Sequence, residues 1–149
     1  MPVLRRSLIT ALVAGIALAV SSGAWAVPKK KSATANKERV VIQVTGSDSK
    51  HWNLVLTTAK QLKSEYGDDK IDVAIIAIGP GVNMFKDGSD VANRVENAVA
   101  RKIFVIACGA SMKSLNLEPD DLTRHVFVVP SGAAEIVKRQ RAGWTYLRL

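Results

Sequence analysis

Cysteine is the scarcest chemistry-bearing residue here: the 149-residue chain holds one, Cys108, and only two histidines, His51 and His125. A single thiol excludes an intramolecular disulfide framework and any zinc site built on several thiolates. With the two histidines far apart in sequence, no metal site and no cofactor is expected. Neither GxGxxG nor GxxxxGK[ST] occurs, so neither standard phosphate-binding loop is present. Length excludes a pair of separate catalytic domains, because about 100–200 residues make one domain. What remains is ordinary globular composition, 48% hydrophobic and 23% charged.

The charge is unevenly spread. Twenty-one Lys and Arg against 13 Asp and Glu give +8, a balance that invites a nucleic-acid reading. Residues 1–26 combine Arg5 and Arg6, an acid-free apolar stretch from Leu8 to Val20, and the small-residue site Ala24-Trp25-Ala26. This is the pattern of a secretory signal peptide. The apolar stretch is short for a membrane span, which needs about 20 residues, so cleavage after Ala26 and no stable membrane insertion afterwards are expected. A periplasmic location follows, by the general secretory route or, given Arg5-Arg6, the twin-arginine route. Residues 27–37 hold Lys29, Lys30, Lys31 and Lys37 with no acid and no apolar periodicity, as in a flexible tether. Six basic residues therefore lie before Glu38, and residues 38–149 carry 15 basic against 13 acidic side chains. A domain so nearly neutral gives no reason to expect a nucleic-acid partner.

From Glu38 onward, strand-like and helix-like segments alternate. Arg39–Thr45 is a β-branched run, followed by Gly46–Ser49 as a turn and cap. His51–Tyr66 has apolar residues at helical spacing. Ile71–Ile78 is almost continuously apolar, as expected of a parallel strand covered on both faces. A second helix is expected from about Ser89, a third strand over Ile103–Ala107, and short helical turns over Ala110–Leu117 and at Glu118–Leu122. His125–Val129 reads as the fourth strand, Ala133–Arg141 as the last helix and Trp144–Leu149 as a final strand. This alternation predicts an α/β three-layer sandwich with a mainly parallel sheet of about five strands, flavodoxin-like or Rossmann-like.

Ligands in such sheets bind beyond the carboxyl ends of the strands. The segments there are Gly46–His51, Gly79–Asn83, Cys108–Ser111 and Ser131–Gly132, which makes Gly79, Gly81, Gly109, Ser111, Ser131 and Gly132 the candidate pocket residues. Cys108 admits two readings. It is a small buried hydrophobe at a strand end, or a nucleophile whose thiolate is favoured by N–H groups of a helix starting at Gly109. His51 serves as its base or hydrogen-bond partner if strands one and three are neighbours, and otherwise is a helix-start residue at the surface. His125, at the start of a strand, belongs to the opposite edge. Ser131-Gly132 reads as a helix cap, with Glu135 near the third helical position, or as an anion site. Trp52, Trp144 and Tyr146 suit core packing, a pocket lining or a subunit interface. Lys138, Arg139 and Arg141 form a basic face without interleaved aromatics, which reads as solvated.

The segments GSDSKHW, AIGPGVNMF, IACGASMKSLNLEPDDL and VVPSGAAEIVKRQRAGWTYL together resemble the DsrE/DsrF-like proteins associated with sulfur oxidation and sulfur relay, over essentially all of residues 38–149. The resemblance implies a layered α/β fold assembled as homotrimers or hexamers. It also implies a thiol at the end of a central strand, here Cys108, that accepts sulfur as a persulfide and passes it on. Sulfur donor or acceptor proteins, or small sulfur compounds, are the implied partners. The relay members are cytoplasmic and this chain carries an export leader, which argues against tRNA thiolation. The alternative is a non-enzymatic oligomeric module that binds a small ligand or partner and keeps Cys108 buried as a structural residue. A nucleotide or phosphate binder using the Ser131-Gly132 helix start is a third reading.

Overall fold

In the computed structural model, which describes residues 37–149, the β-branched run forms strand β1 (Glu38–Val44). The expected leader and nearly all of the expected tether lie outside the described residues. Helix α1 (Ser49–Tyr66) follows, started by Asp48, whose carboxylate accepts the Lys50 N–H at 3.0 Å. Such a cap contributes about 1 kcal/mol. Strand β2 (Ile71–Ala77), helix α2 (Ala92–Ala100), strand β3 (Phe104–Cys108) and the short helix α3 (Gly109–Ser114) come next. Strand β4 (Phe127–Val129), helix α4 (Gly132–Arg141) and strand β5 (Thr145–Leu147) complete the fold. All four strand pairings are parallel, in the order β4-β3-β2-β1-β5. The expected five-strand α/β sandwich is therefore observed, and its sheet is wholly parallel.

Side chains alternate across the sheet. Ile42, Val44, Val73, Ile75, Ala77, Val105 and Ala107 meet α1, α2 and Met112 of α3 on one face. Val41, Ala74, Ile76 and Ile106 meet Ile136 of α4 on the other. Each fully buried Val, Ile or Leu stabilises the fold by about 1.5–3 kcal/mol, so the larger cluster beneath α1 and α2 carries most of the core energy. The chain leaves β3 toward the first face and β4 toward the second, so the connections from the carboxyl ends of these adjacent strands diverge. In open α/β sheets this is where ligands and reactive groups gather.

Gly79–Phe85, beyond the end of β2, forms a 3-10 segment. Gly81 sits so close to β1 that an added Cβ would lie 2.6 Å from the Val44 carbonyl oxygen. Ser89 does not cap α2; its hydroxyl donates to Met84 O at 3.0 Å, and the helix begins three residues later. His125 does not begin β4 but occupies a left-handed turn at φ 67° ahead of it.

Lys63 is an unexpected core residue, 1% exposed. Its Nζ donates to Asp68 O at 2.9 Å and Ile71 O at 2.8 Å, fastening the end of α1 to the start of β2. Burial, with repulsion from Lys37, lowers its pKa despite attraction from Asp72 and Asp68. Lys63→Ala leaves a void and two unpaired carbonyls, and its expected cost in urea unfolding is about 2–4 kcal/mol. Lys63→Met keeps the packed stem and is expected to cost less; equal losses would mean that the hydrogen bonds carry the whole effect.

Candidate functional site

Cys108 ends β3 and caps α3, whose first residue is Gly109. It shares a sheet face with Ile106, so its side chain lies on the α4 side of the sheet. There it meets the start of α4: an added Cβ on Gly132 would lie 3.1 Å from Cys108 Cβ and 2.8 Å from Ile78 Cγ1. Only glycine lets the first turn of α4 approach the thiol this closely. The Cys108 side is also tightened by Gly109, where an added Cβ would lie 3.1 Å from Val129 O of the neighbouring strand.

Burial to 4% exposure pushes the Cys108 thiol pKa up. Donor groups near the sulfur, the Gly132 N–H first and then the Ser111 hydroxyl and the Ser111 and Ala110 N–H groups, oppose this and outweigh it. The net direction is down from the ordinary value of 9.0. The Ser111 hydroxyl is oriented for this task, because its oxygen accepts the Gly79 N–H at 2.7 Å and its proton is left to donate to sulfur. The Ala110 N–H donates to Pro130 O at 3.2 Å. A thiol held this way is biased toward thiolate, the nucleophilic form.

The carboxyl ends of β3 and β4 thus gather Cys108, Ser111, Gly132 and, through Ser111, Gly79. Ser131 stands beside them but its hydroxyl accepts the Ala134 N–H at 3.3 Å as the α4 cap. Glu135 does not complete a capping box; it pairs with Arg139 at 2.8 Å. Gly81 serves close packing against β1 and does not reach the sulfur. His51 is not brought to Cys108. Strand β2 separates β1 from β3, so the neighbour relation that would unite them does not exist. His51 instead lines a cavity of about 410 Å³ with Gln43, Thr45, Asp48 and Arg148. His125 lines a separate cavity of about 270 Å³ with Phe104 and Phe127, at the amino end of β3.

Other sequence candidates resolve into packing. Trp52 is buried and donates through Nε1 to Gly46 O at 2.8 Å, and Tyr146 OH donates to Gln43 Oε1 at 2.6 Å. Arg139 is not simply solvated: its guanidinium stacks 4.4 Å from the Trp144 ring centroid and 5.8 Å from that of Phe104. Sequence reasoning missed Ile78, which packs against the start of α4 on the Cys108 side. No local signal marks it, because the contact depends on strand order.

Comparison with known proteins agrees with this architecture. No curated protein matches the chain. A protein of unknown function, MTH1491 from Methanobacterium thermoautotrophicum, is 27% identical, with a TM-score of 0.72 over 75% of this chain and 99% of its own. The YchN protein of E. coli, 15% identical, matches with a TM-score of 0.66 over 75% of this chain and 99% of its own. BT1422 of Bacteroides thetaiotaomicron, 18% identical, matches with a TM-score of 0.63 over 78% and 99%. The last two likenesses are of fold alone. A family model described as the DsrE/DsrF-like family matches residues 38–149, three quarters of the sequence, and the chain belongs to the DsrE/DsrF-like family.

Proposed function

We propose that this protein is an exported sulfur carrier in which Cys108 accepts sulfane sulfur as a persulfide. The observation that carries the reading is the close seating of the first turn of α4 on Cys108, where an added Cβ on Gly132 would lie 3.1 Å from Cys108 Cβ, with the donors of Gly132, Ser111 and Ala110 lowering the thiol pKa in spite of burial. A polysulfide is the simplest donor. The Cys108 thiolate attacks a sulfane sulfur, the new S–S bond forms as the donor's S–S bond breaks, and the shortened polysulfide leaves with the bonding pair. No external oxidant or reductant is required. An acceptor thiolate then attacks the outer sulfur and returns Cys108 to thiolate. With no second Cys in the chain, the persulfide is not lost to an internal disulfide.

The leader over residues 1–26 supports export to the periplasm. Self-association is supported by the resemblance and by exposed apolar side chains at the β4 edge, where Phe127 is 58% and Val128 43% exposed.

One observation favours a second reading. At 4% exposure Cys108 is nearly closed off, as in a binding module that keeps a structural thiol. Titrating the full chain with a small thiol reagent separates the two. The carrier reading expects one thiol to react in the native protein, more slowly than in the unfolded chain because the start of α4 must move aside. A thiol that stays silent until denaturation supports the binding module and overturns the carrier.

A further inference from the structure

On the sheet face away from Cys108, helices α1 and α2 enclose a cavity of about 420 Å³. Its floor is apolar, from Leu56 of α1, Ala98 of α2 and Ile103 just ahead of β3, all buried among the core residues. Its rim is cationic. Lys60 stands on α1, while Arg94 on α2 and Arg101 just past its end lie two turns apart on one side. The three cations are not equally neutralised. Arg101 pairs with Asp68 at 2.8 Å. Arg94 donates across to the side-chain amide Oδ1 of Asn53 and, at 2.9 Å, to Thr57 Oγ1, both neutral acceptors that orient the guanidinium without cancelling its charge. Among the described residues neither Arg94 nor Lys60 forms an ion pair.

We propose that this groove binds a soluble organic anion with an apolar body, its carboxylate or sulfonate between Lys60 and Arg94 and its alkyl part on Leu56, Ala98 and Ile103. Sites for small molecules have this form: about 300–1,000 Å³, mostly apolar walls and a few placed polar groups. An inorganic anion leaves the floor unused, and a neutral apolar molecule leaves two unpaired cations in its path. A polynucleotide is disfavoured because no aromatic side chain lines the groove for base stacking. This site is independent of the carrier reading and stands or falls without it.

The test is titration of the full chain with sodium octanoate, followed by calorimetry and by amide resonances. Saturable binding is expected, with shifts centred on Leu56, Lys60, Asn97 and Ala98. Acetate and 1-octanol should bind at least about tenfold more weakly, a loss of about 1.4 kcal/mol for either missing part. The exposed pair Lys60→Ser with Arg94→Ser should weaken octanoate by a similar factor or more. Ala100→Leu, at the exposed rim, should block the groove without removing charge. Absence of saturable binding, shifts located elsewhere, or equal affinity in the double variant overturns the proposal. So does binding to phosphatidylglycerol vesicles without binding of free octanoate, which assigns the cations to a membrane surface.

Discussion

Cys108→Ala abolishes sulfur uptake. Intact-mass measurement of the native full chain after polysulfide treatment is expected to show an adduct of about 32 Da, one sulfur atom, that dithiothreitol removes. In Cys108→Ala the adduct is expected to be absent, because no other side chain in this sequence supplies a thiol. The substitution also empties little space, so the variant should fold; Cys is a small side chain and Ala differs from it by one atom. An adduct that persists in Cys108→Ala would place the sulfur on the methionines or in non-covalent association, and the carrier reading would fall. Cys108→Ser gives a further control, since a serine hydroxyl keeps the donors partnered but does not form a persulfide.

Gly132→Ala is expected to raise the thiol pKa and to slow thiol reactions at neutral pH. The added methyl meets Cys108 Cβ at 3.1 Å and Ile78 Cγ1 at 2.8 Å, so the first turn of α4 must withdraw and its N–H leaves the sulfur. A higher pKa leaves less thiolate at pH 7. The pH profile of iodoacetamide alkylation reads this directly: the midpoint moves up while the plateau rate at high pH changes little. Ile78→Val in the same chain removes only Cδ1, the more distant Ile78 contact at 3.2 Å, and leaves a γ carbon in the way, so it should recover little of the thiolate. A midpoint unchanged by Gly132→Ala would mean that the α4 terminus does not tune this thiol. Ser111→Ala should move the midpoint in the same direction and also leave the Gly79 N–H without its partner.

Both predictions rest on contacts that differ in how far the sequence announces them. The central strands were legible, because VVIQV, IDVAIIA and FVIAC are apolar runs bounded by turn residues. Cys108 at the end of one of them was legible for the same reason. Its surroundings were not. Gly132 reaches the sulfur only because β4 lies beside β3 and sends α4 to the opposite face, and strand order is not written in any local pattern. The same ignorance of order allowed His51 to be considered beside Cys108, whereas β2 lies between their strands. Short or irregular elements escaped for a different reason. β4 has three residues, and the left-handed turn at His125 shortens it from the end where sequence pattern alone starts the strand. Arg139 read as solvated from its charge, but its stem and guanidinium lie over Trp144 and Phe104, contacts set by the docking of α4 on the sheet. Lys63 gave no sign of burial, since a lysine in an amphipathic helix is ordinarily outside.

A folded-state pKa below the unfolded value adds stability that is fully present above the unfolded thiol pKa. This increment is lost as pH falls through the folded value. The stability of the native protein relative to Cys108→Ala should therefore grow as pH rises from neutral toward 9.0, the ordinary thiol value.

The most direct measurement is a titration of the Cys108 thiolate by its ultraviolet absorbance, in the native full chain and in the same chain unfolded in urea, with Cys108→Ala as the blank. The donors at Gly132, Ser111 and Ala110 predict a native midpoint below the unfolded one. A native midpoint at or above the unfolded value contradicts the assignment of Cys108 as an activated sulfur acceptor.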